Sequence, residues 1–210
     1  AGTPVGHNGP MMTPTPTDPA RYAGADLRLA AVDMDGTLMD DDKNFPAGMD
    51  ELLDQMDARG VTFAPASGRQ VWTLIDMFPG RPGMTVIGEN GGIVMRDGVE
   101  VSSSPLDAPT MREAVRLVRE ATSGPDGIDG GLVMCGKQFA YVERTDDRFV
   151  DGVLPYYHRT KRIDDQIAII DAIEAGEIDD AIVKLAVYVI GPVQALAEAT
   201  LARFADTHQY

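Results

Sequence analysis

Apolar and polar positions in the first 90 residues alternate in a pattern that is typical of an α/β protein. The run at 27–33 is nearly all apolar, as expected for a strand that is buried on both faces of a parallel sheet. Residues 61–67 and 84–90 form two further apolar runs of strand length. We therefore predict three strands in this part of the chain.

The two segments between these runs have the pattern of helices. In the first segment the apolar side chains fall at i, i+3, i+4 and i+7 on one face: Met49, Leu52, Leu53 and Met56. Gly60 follows as a C-terminal cap, and the second helix is predicted at 68–78. The order strand–helix–strand–helix–strand predicts a parallel sheet with right-handed crossovers.

The pattern changes after Gly92. An Asp-Gly turn between apolar flanks predicts a hairpin at 93–101. A helix at 109–121, two strands joined by a turn at Gly136–Lys137, a helix at 163–175 and a strand at 181–190 follow, before a closing helix. This order predicts a separate α+β domain at 106–210, after a first domain at 26–105.

Composition narrows the function classes. The formal net charge of −15 argues against a nucleic-acid groove or an anionic membrane surface as the main partner. The single cysteine, Cys135, lies in an apolar run, which predicts a buried side chain and a reducing, cytoplasmic location. No apolar run reaches the roughly 20 residues that span a bilayer. Residues 1–25, rich in Pro, Gly and Thr, are expected to form a disordered leader.

Polar residues follow each of the three predicted strands, at Asp33, Ser67 and Glu89–Asn90. The carboxyl ends of parallel strands are where ligands bind in open α/β sheets, so we expect these residues to converge. Asp33 and Asp35 point to the same side of an extended chain and repel each other unless a cation or a shared proton lies between them. Such a pair fits Mg²⁺, which takes few protein carboxylates together with water and substrate oxygens.

Phosphoryl chemistry also suits this pair, because one aspartate can attack phosphorus while the other transfers protons. Gly36 lets the backbone approach closely, so that its amide and its neighbours, Thr37 among them, can face phosphate oxygens. A plain turn is the alternative interpretation of Asp35-Gly36. A calcium loop of the EF-hand type does not fit, since its glycine follows two positions later.

The segment after the second strand favours phosphate binding. Ser67 and Gly68 are predicted to open a helix, where a hydroxyl and free backbone amides face an anion. Arg69 adds positive charge, although a solvated first-turn residue is the alternative. Asn90 with its two following glycines is also compatible with a plain turn.

Together, "DMDGTL", "ASGR" and "ENGG" resemble, in this order, the motifs of the haloacid dehalogenase-like (HAD) superfamily, closest to its Cof-type, type IIB cap branch. The resemblance implies Asp33 as nucleophile, Asp35 as general acid/base, both near Mg²⁺, and Ser67 as a phosphoryl ligand. It covers roughly residues 27–205, with Gly92 where alanine is usual. The implied fold is a Rossmann-like parallel-sheet core with an inserted α+β cap.

The spacing agrees with a cap after the third strand, because only one helix fits between Asp35 and Ser67. The family's helix-opening lysine and its acidic GDxxND-like loop are not found. We therefore expect the chain to be a fragment that lacks the C-terminal part of the core, with its first strand left as an unprotected edge. Lys184 is interpreted as a cap-strand residue with an exposed head.

The predicted function is a Mg²⁺-dependent phosphatase that acts on small phosphorylated metabolites, sugar phosphates first, through an aspartyl-phosphate. Two alternatives stay open: a phosphomutase with the same chemistry, and a non-catalytic binding or regulatory module. The basic, aromatic segment 156–162 could meet the substrate's polar end, or it could be a solvated loop.

Overall fold

The structure, a computed structural model, describes residues 24–81, 83–191 and 193–204, together with positions 18, 20 and 206. The expected disordered leader therefore lies almost wholly outside the described residues. Within the described part of the chain, no helix is long and apolar enough to cross a bilayer.

The first half of the described chain forms a five-stranded sheet in the order β1-β2-β3-β4-β5. The strands are β1 (Leu29–Asp33), β2 (Thr62–Ala66), β3 (Thr85–Gly88), β4 (Ile93–Arg96) and β5 (Val99–Ser103). Strands β1 to β3 are parallel, and β4 and β5 continue the sheet as an antiparallel hairpin. The predicted parallel sheet and the predicted hairpin are both confirmed.

Two helices, α1 (Met49–Ala58) and α2 (Val71–Asp76), connect the parallel strands. Leu53 of α1 and Leu74 of α2 are buried in the core with Phe63 and Val86 of the sheet. Burial of each such side chain contributes about 1.5–3 kcal/mol. Gly60 has a φ of +70°, which only glycine adopts without strain, and it ends α1 as predicted.

The expectation that β1 is buried on both faces is wrong. Leu29 is 58% exposed, and β1 lies at the edge of the sheet, paired with β2 alone among the described strands. A short apolar run has the same pattern at an edge as at the centre of a sheet, so its sequence could not distinguish the two. The unprotected edge that we expected at this strand is present.

A second sheet follows, with the order β8-β7-β6-β9. Its strands are β6 (Gly130–Gly136), β7 (Ala140–Val142), β8 (Thr160–Arg162) and β9 (Ile182–Val189). Its helices are α3 (Ala108–Thr122), α4 (Asp147–Val153), α5 (Gln166–Glu174) and α6 (Val193–Thr200). The sequence pattern did not predict α4 and β8, which are among the shortest elements here.

Alternate residues of β6 face opposite sides of this second sheet. Leu132 and Met134 pack in one cluster with α3 and α5, whereas Val133 and Cys135 pack in another with Phe149 of α4. Both faces are therefore covered, which explains why β6 has a continuous apolar run. The boundary predicted near residue 106 stays a prediction, although each half of the described chain has its own sheet.

The two halves contact each other along α2. The buried side chain of Gln70, just before α2, accepts from the amide of Arg159 at 2.8 Å and donates to the Arg159 carbonyl at 2.9 Å. Trp72 donates from its indole to the carbonyl of Lys137, over 2.8 Å. These bonds hold the segment after α4 and the turn between β6 and β7 against α2.

Candidate active site

The ends of the three parallel strands lie side by side. Asp33 at the end of β1 is level with Ala66 of β2, and Ala66 is level with Ile87 of β3. The next residues therefore meet at one edge, where the amide of Asn90 donates to the Ser67 carbonyl over 3.1 Å. The structure thus brings together the polar strand ends that the sequence predicted to converge.

Asp33 and Asp35 lie on either side of Met34, whose side chain is fully buried. Both aspartates are exposed, as expected for two carboxylates that leave the same side of the chain. The hydroxyl of Thr37 donates to Oδ2 of Asp33 at 3.1 Å, which fixes one carboxylate oxygen. Gly36, with a φ of +75°, turns the chain between Asp35 and Thr37.

Two cations neutralise Asp35. Arg69 donates to both of its carboxylate oxygens, and Lys43 donates to Oδ1 at 2.9 Å. These bonds, with the Arg69 guanidinium first, lower the pKa of Asp35 below its usual value. The contact of Lys43 with Asp35 was not predicted from the sequence. The only local signal for it is that Lys43 is the basic residue that follows three aspartates.

The prediction that Ser67 and Gly68 open a helix is wrong, because α2 begins at Val71. Gln70 has an extended ψ of 137°, so residues 67–69 form a bend before the helix instead. The Ser67 hydroxyl accepts from the Arg69 amide at 3.2 Å. We refer to Ser67–Gly68–Arg69 as the serine loop.

The loop after β3 supports the serine loop. Glu89 and Asn90 have φ values of 53° and 56°, a left-handed conformation that asparagine tolerates but that costs a residue such as Glu89 about 1–2 kcal/mol. The Glu89 amide donates to the Arg69 carbonyl at 3.0 Å. A Cβ on Gly68 would lie 2.5 Å from Oδ1 of Asn90, so a side chain at this position would displace the Asn90 amide.

Most of the basic, aromatic segment 156–162 packs on neighbouring side chains instead of facing the aspartates. His158 is 2.8 Å from an Asp76 oxygen, and the Arg159 guanidinium lies 3.5 Å from the centre of the Trp72 ring. Tyr156 is different, because it is half exposed and its ring centre lies 5.8 Å from Cζ of Arg69. Only this member of the segment is shown close to a residue that contacts Asp35.

Lys184 and Cys135 are both largely buried. The expectation that Lys184 has an exposed head is wrong, because its side chain is only 15% exposed and forms an ion pair with the buried Glu89. The expectation that Cys135 is buried is confirmed. Burial raises the pKa of Cys135 to about 12, so this thiol is not an activated nucleophile.

The donor set of the site can be compared with what Mg²⁺ requires. Among the described residues, no group of three or more His, Cys, Asp or Glu side chains is placed to hold a metal ion. Asp33 and Asp35 are both exposed and nevertheless offer hard oxygen ligands two residues apart. Mg²⁺ is commonly held by one or two carboxylates with water and substrate phosphate, so the pair fits this ion.

Comparisons with known proteins identify the family of the chain. Residues 30–188 match the family of haloacid dehalogenase-like hydrolases. The chain is 32% identical over 143 residues to an Escherichia coli 5-amino-6-(5-phospho-D-ribitylamino)uracil phosphatase, a match that covers 66% of the chain and 50% of that enzyme. The chain spans about half the length of the curated relatives that it matches.

Solved structures show the same fold. A haloacid dehalogenase-like hydrolase from B. subtilis superposes with a TM-score of 0.66 at 15% identity, covering 86% of this chain and 67% of that one. The subclass IIB sugar phosphatase BT4131 superposes with a TM-score of 0.52 at 13% identity, covering 75% and 57%. The fold is therefore a parallel-sheet core with an inserted α+β cap of the IIB kind.

Proposed function

The chain belongs to the haloacid dehalogenase-like hydrolase family, and we propose that its protein is a Mg²⁺-dependent phosphatase of small phosphorylated metabolites. The observation that carries this proposal is the arrangement of Asp33, Asp35 and Arg69 at the ends of β1 and β2. It joins a carboxylate that is fixed by Thr37 to a second carboxylate that is paired with a guanidinium, a group able to bind phosphate.

Asp33 is the nucleophile in this proposal. Its free carboxylate oxygen attacks phosphorus, a bond forms between that oxygen and phosphorus, and the bond from phosphorus to the leaving oxygen breaks. Protonated Asp35 gives its proton to the leaving oxygen. The ionised Asp35 then takes a proton from water, whose oxygen attacks phosphorus and releases inorganic phosphate, restoring Asp33.

The ion pairs of Asp35 give phosphate binding a role in this proton transfer. Without a phosphate, Arg69 and Lys43 favour the ionised form of Asp35. A phosphate dianion offers Arg69 a bidentate partner of higher charge, so we expect Arg69 to turn towards it. Asp35 then loses its strongest partner, and its pKa rises towards the value that a general acid needs.

Asp33, through its carboxylate, and Asp35, through its backbone carbonyl, would hold Mg²⁺, which would supply positive charge to offset the negative charge of the phosphoryl group and of Asp33. The Ser67 hydroxyl, the backbone amide of Gly68 and the side-chain amide of Asn90 are proposed to bind phosphate oxygens beside it. The amides of Gly36 and Thr37 are proposed to bind phosphate oxygens from the loop after β1.

A cytoplasmic location fits the single reduced cysteine, Cys135.

The substrate class follows from the relatives and from Tyr156. One curated relative is a phosphoglycolate phosphatase, and the E. coli relative acts on a phosphorylated ribitylaminouracil. Both names describe small phosphate monoesters. We propose that the half-exposed ring of Tyr156 contacts the leaving group of such an ester, because it lies beside Arg69 at the rim of the site.

The test is Asp33→Asn, with phosphate release from a panel of small monoesters measured in the presence of Mg²⁺. An amide cannot attack phosphorus, so turnover is abolished while the thermal unfolding midpoint stays near that of the parent. Asp41→Asn, an exposed neighbour in the same acidic segment, is the matched control and retains activity. Turnover that survives in Asp33→Asn, or that is unchanged by a chelator, rejects the proposal.

A further inference from the structure

Cap strand β9 passes unusually close to the loop after β3. A Cβ on Gly92 would lie 2.8 Å from the carbonyl oxygen of Val183 and 3.1 Å from that of Glu89. Even a methyl group would push the two backbones apart, so glycine is required where the family motif usually has alanine. This close approach brings the next residue of β9, Lys184, to the ends of β2 and β3.

The ammonium of Lys184 joins two core loops. It donates to the Gly68 carbonyl at 2.5 Å, and it forms an ion pair with Oε2 of Glu89. Its side chain is 15% exposed, and that of Glu89 is 1% exposed. Nζ also lies 5.6 Å from the ring centre of Tyr157, which favours a cation at this position.

Glu89 depends on this ammonium. Neither of its carboxylate oxygens makes a hydrogen bond of regular geometry within the described part of the chain. A buried carboxylate without compensation is strongly unfavourable, so Lys184 and Glu89 hold each other in place. Because the Glu89 amide also donates to the Arg69 carbonyl, the pair supports the serine loop at two successive carbonyls.

We propose that Lys184 is a positioning residue of the phosphatase reaction: it holds the serine loop, through Gly68 and Glu89, where Ser67 and Arg69 reach the phosphoryl group. The inference rests on the proposed function. It assigns to a cap residue a role in building the phosphate-binding edge of the core. The serine loop has no regular secondary structure, so its shape depends on such contacts, and displacement by about 1 Å can cost a hundredfold in rate.

The experiment compares Lys184→Met with the double variant Glu89→Gln/Lys184→Met in the full protein. Lys184→Met alone leaves a buried carboxylate and lowers the thermal unfolding midpoint. The double variant removes both charges, so its midpoint returns towards that of the parent. Its kcat nevertheless stays about tenfold to a hundredfold below that of the parent, because the Gly68 carbonyl no longer accepts a hydrogen bond. A loss of this size is typical of one hydrogen bond to a charged group. KM changes little.

Lys137→Met is the matched control. Lys137 also joins cap to core, through an ion pair with Glu100 of β5 at 2.9 Å, but on the core side its ammonium binds a residue of β5 and not the serine loop. Loss of an exposed pair of this kind has a small effect on stability. The control is expected to keep kcat within about twofold of the parent, an effect typical of exposed pairs. A general loosening of the cap would instead lower kcat in both lysine variants.

Three results would overturn the inference. Recovery of kcat together with stability in the double variant would make the pair purely structural. A rise in KM with unchanged kcat would place Lys184 on the substrate instead of behind the loop. Unchanged hydrogen–deuterium exchange of the peptide that contains residues 67–70 in the double variant would show that the loop is not held by Lys184. This last readout needs no turnover, so it tests the inference even if the proposed function fails.

Discussion

Arg69 donates from Nε and Nη2 to the two carboxylate oxygens of Asp35, over 3.1 and 2.8 Å, and so joins the loop after β2 to the loop after β1. The guanidinium is mostly buried, which strengthens a bidentate pair of this kind. A side chain that pairs with a carboxylate in this geometry can also pair with phosphate, whose oxygens have a similar spacing.

The first prediction concerns this guanidinium. Arg69→Met is expected to lower kcat/KM about tenfold to a hundredfold, the effect of losing a charged hydrogen bond to the phosphoryl group. Arg69→Lys keeps the charge but not the bidentate geometry, and should fall between the parent and Arg69→Met. Arg59→Met, at the exposed end of α1, is the control. Steady-state kinetics with parental values for Arg69→Met would mean that Arg69 pairs with Asp35 without binding the phosphoryl group.

Local patterns predicted much of this edge of the molecule. The runs that became β1, β2 and β3, and the Asp-Gly turn of the hairpin, were predicted because each depends on neighbours within a few residues. The convergence of Asp33, Ser67 and Asn90 followed from one further rule, that parallel strands end on the same side of a sheet. No long-range contact had to be known in advance.

Contacts between distant segments were not predictable in this way. Lys184 lies 116 residues from Gly68 in sequence, and a lone lysine in an apolar strand has no local pattern that distinguishes a buried head from an exposed one. The start of α2 was misplaced for a related reason. Gln70 is kept extended while its side chain binds the backbone of Arg159, and only the folded cap provides that partner.

The second prediction concerns this glutamine. Gln70→Leu leaves the amide of Arg159 without a partner at a part-buried contact, while the Arg159 carbonyl keeps the bond from the Ala140 amide at 2.8 Å. The loss should lower the free energy of unfolding by about 1–3 kcal/mol, as for one unsatisfied group. Gln194→Leu, whose side chain is exposed on α6, is the control and should change the free energy by less than about 0.5 kcal/mol. Urea unfolding measures both. Equal losses would mean that the Gln70 bonds do not stabilise the docked cap.

The third prediction is a pH dependence of stability. Burial raises the pKa of Glu89 above its usual value, and the Lys184 ammonium offsets only part of this effect. A carboxyl group whose pKa is higher in the folded state binds protons more tightly there than in the unfolded state. Its stabilising contribution is full below the unfolded pKa and is lost as the pH rises through the folded pKa.

Glu89→Gln removes this titration. The parent's free energy of unfolding minus that of Glu89→Gln is therefore expected to decrease as the pH rises from about 4 towards 7. The subtraction cancels the titration of the other carboxyl groups, provided that they are unaffected by the substitution. Urea unfolding at several pH values measures the difference. A difference that is constant, or that grows with pH, would contradict the raised pKa.

The fourth prediction tests the role proposed for Tyr156. Its ring is half exposed beside Arg69, so it can contact a leaving group without contacting the phosphoryl group itself. Tyr156→Ala should raise KM for an aryl phosphate such as p-nitrophenyl phosphate about tenfold, a typical loss for one aromatic stacking contact. Tyr156→Phe keeps the ring and should retain the parental KM.

A compact ester separates this contact from general damage to the site. Glycerol phosphate has no ring to stack on Tyr156, so its KM should change by less than about twofold in Tyr156→Ala if stacking, at about 1–3 kcal/mol, is the only loss. Inhibition by inorganic phosphate, which has no leaving group, should also be unchanged. An equal rise in KM for the aryl and glycerol esters would show that Tyr156 acts through Arg69 and the phosphate site, because only that site is common to both substrates.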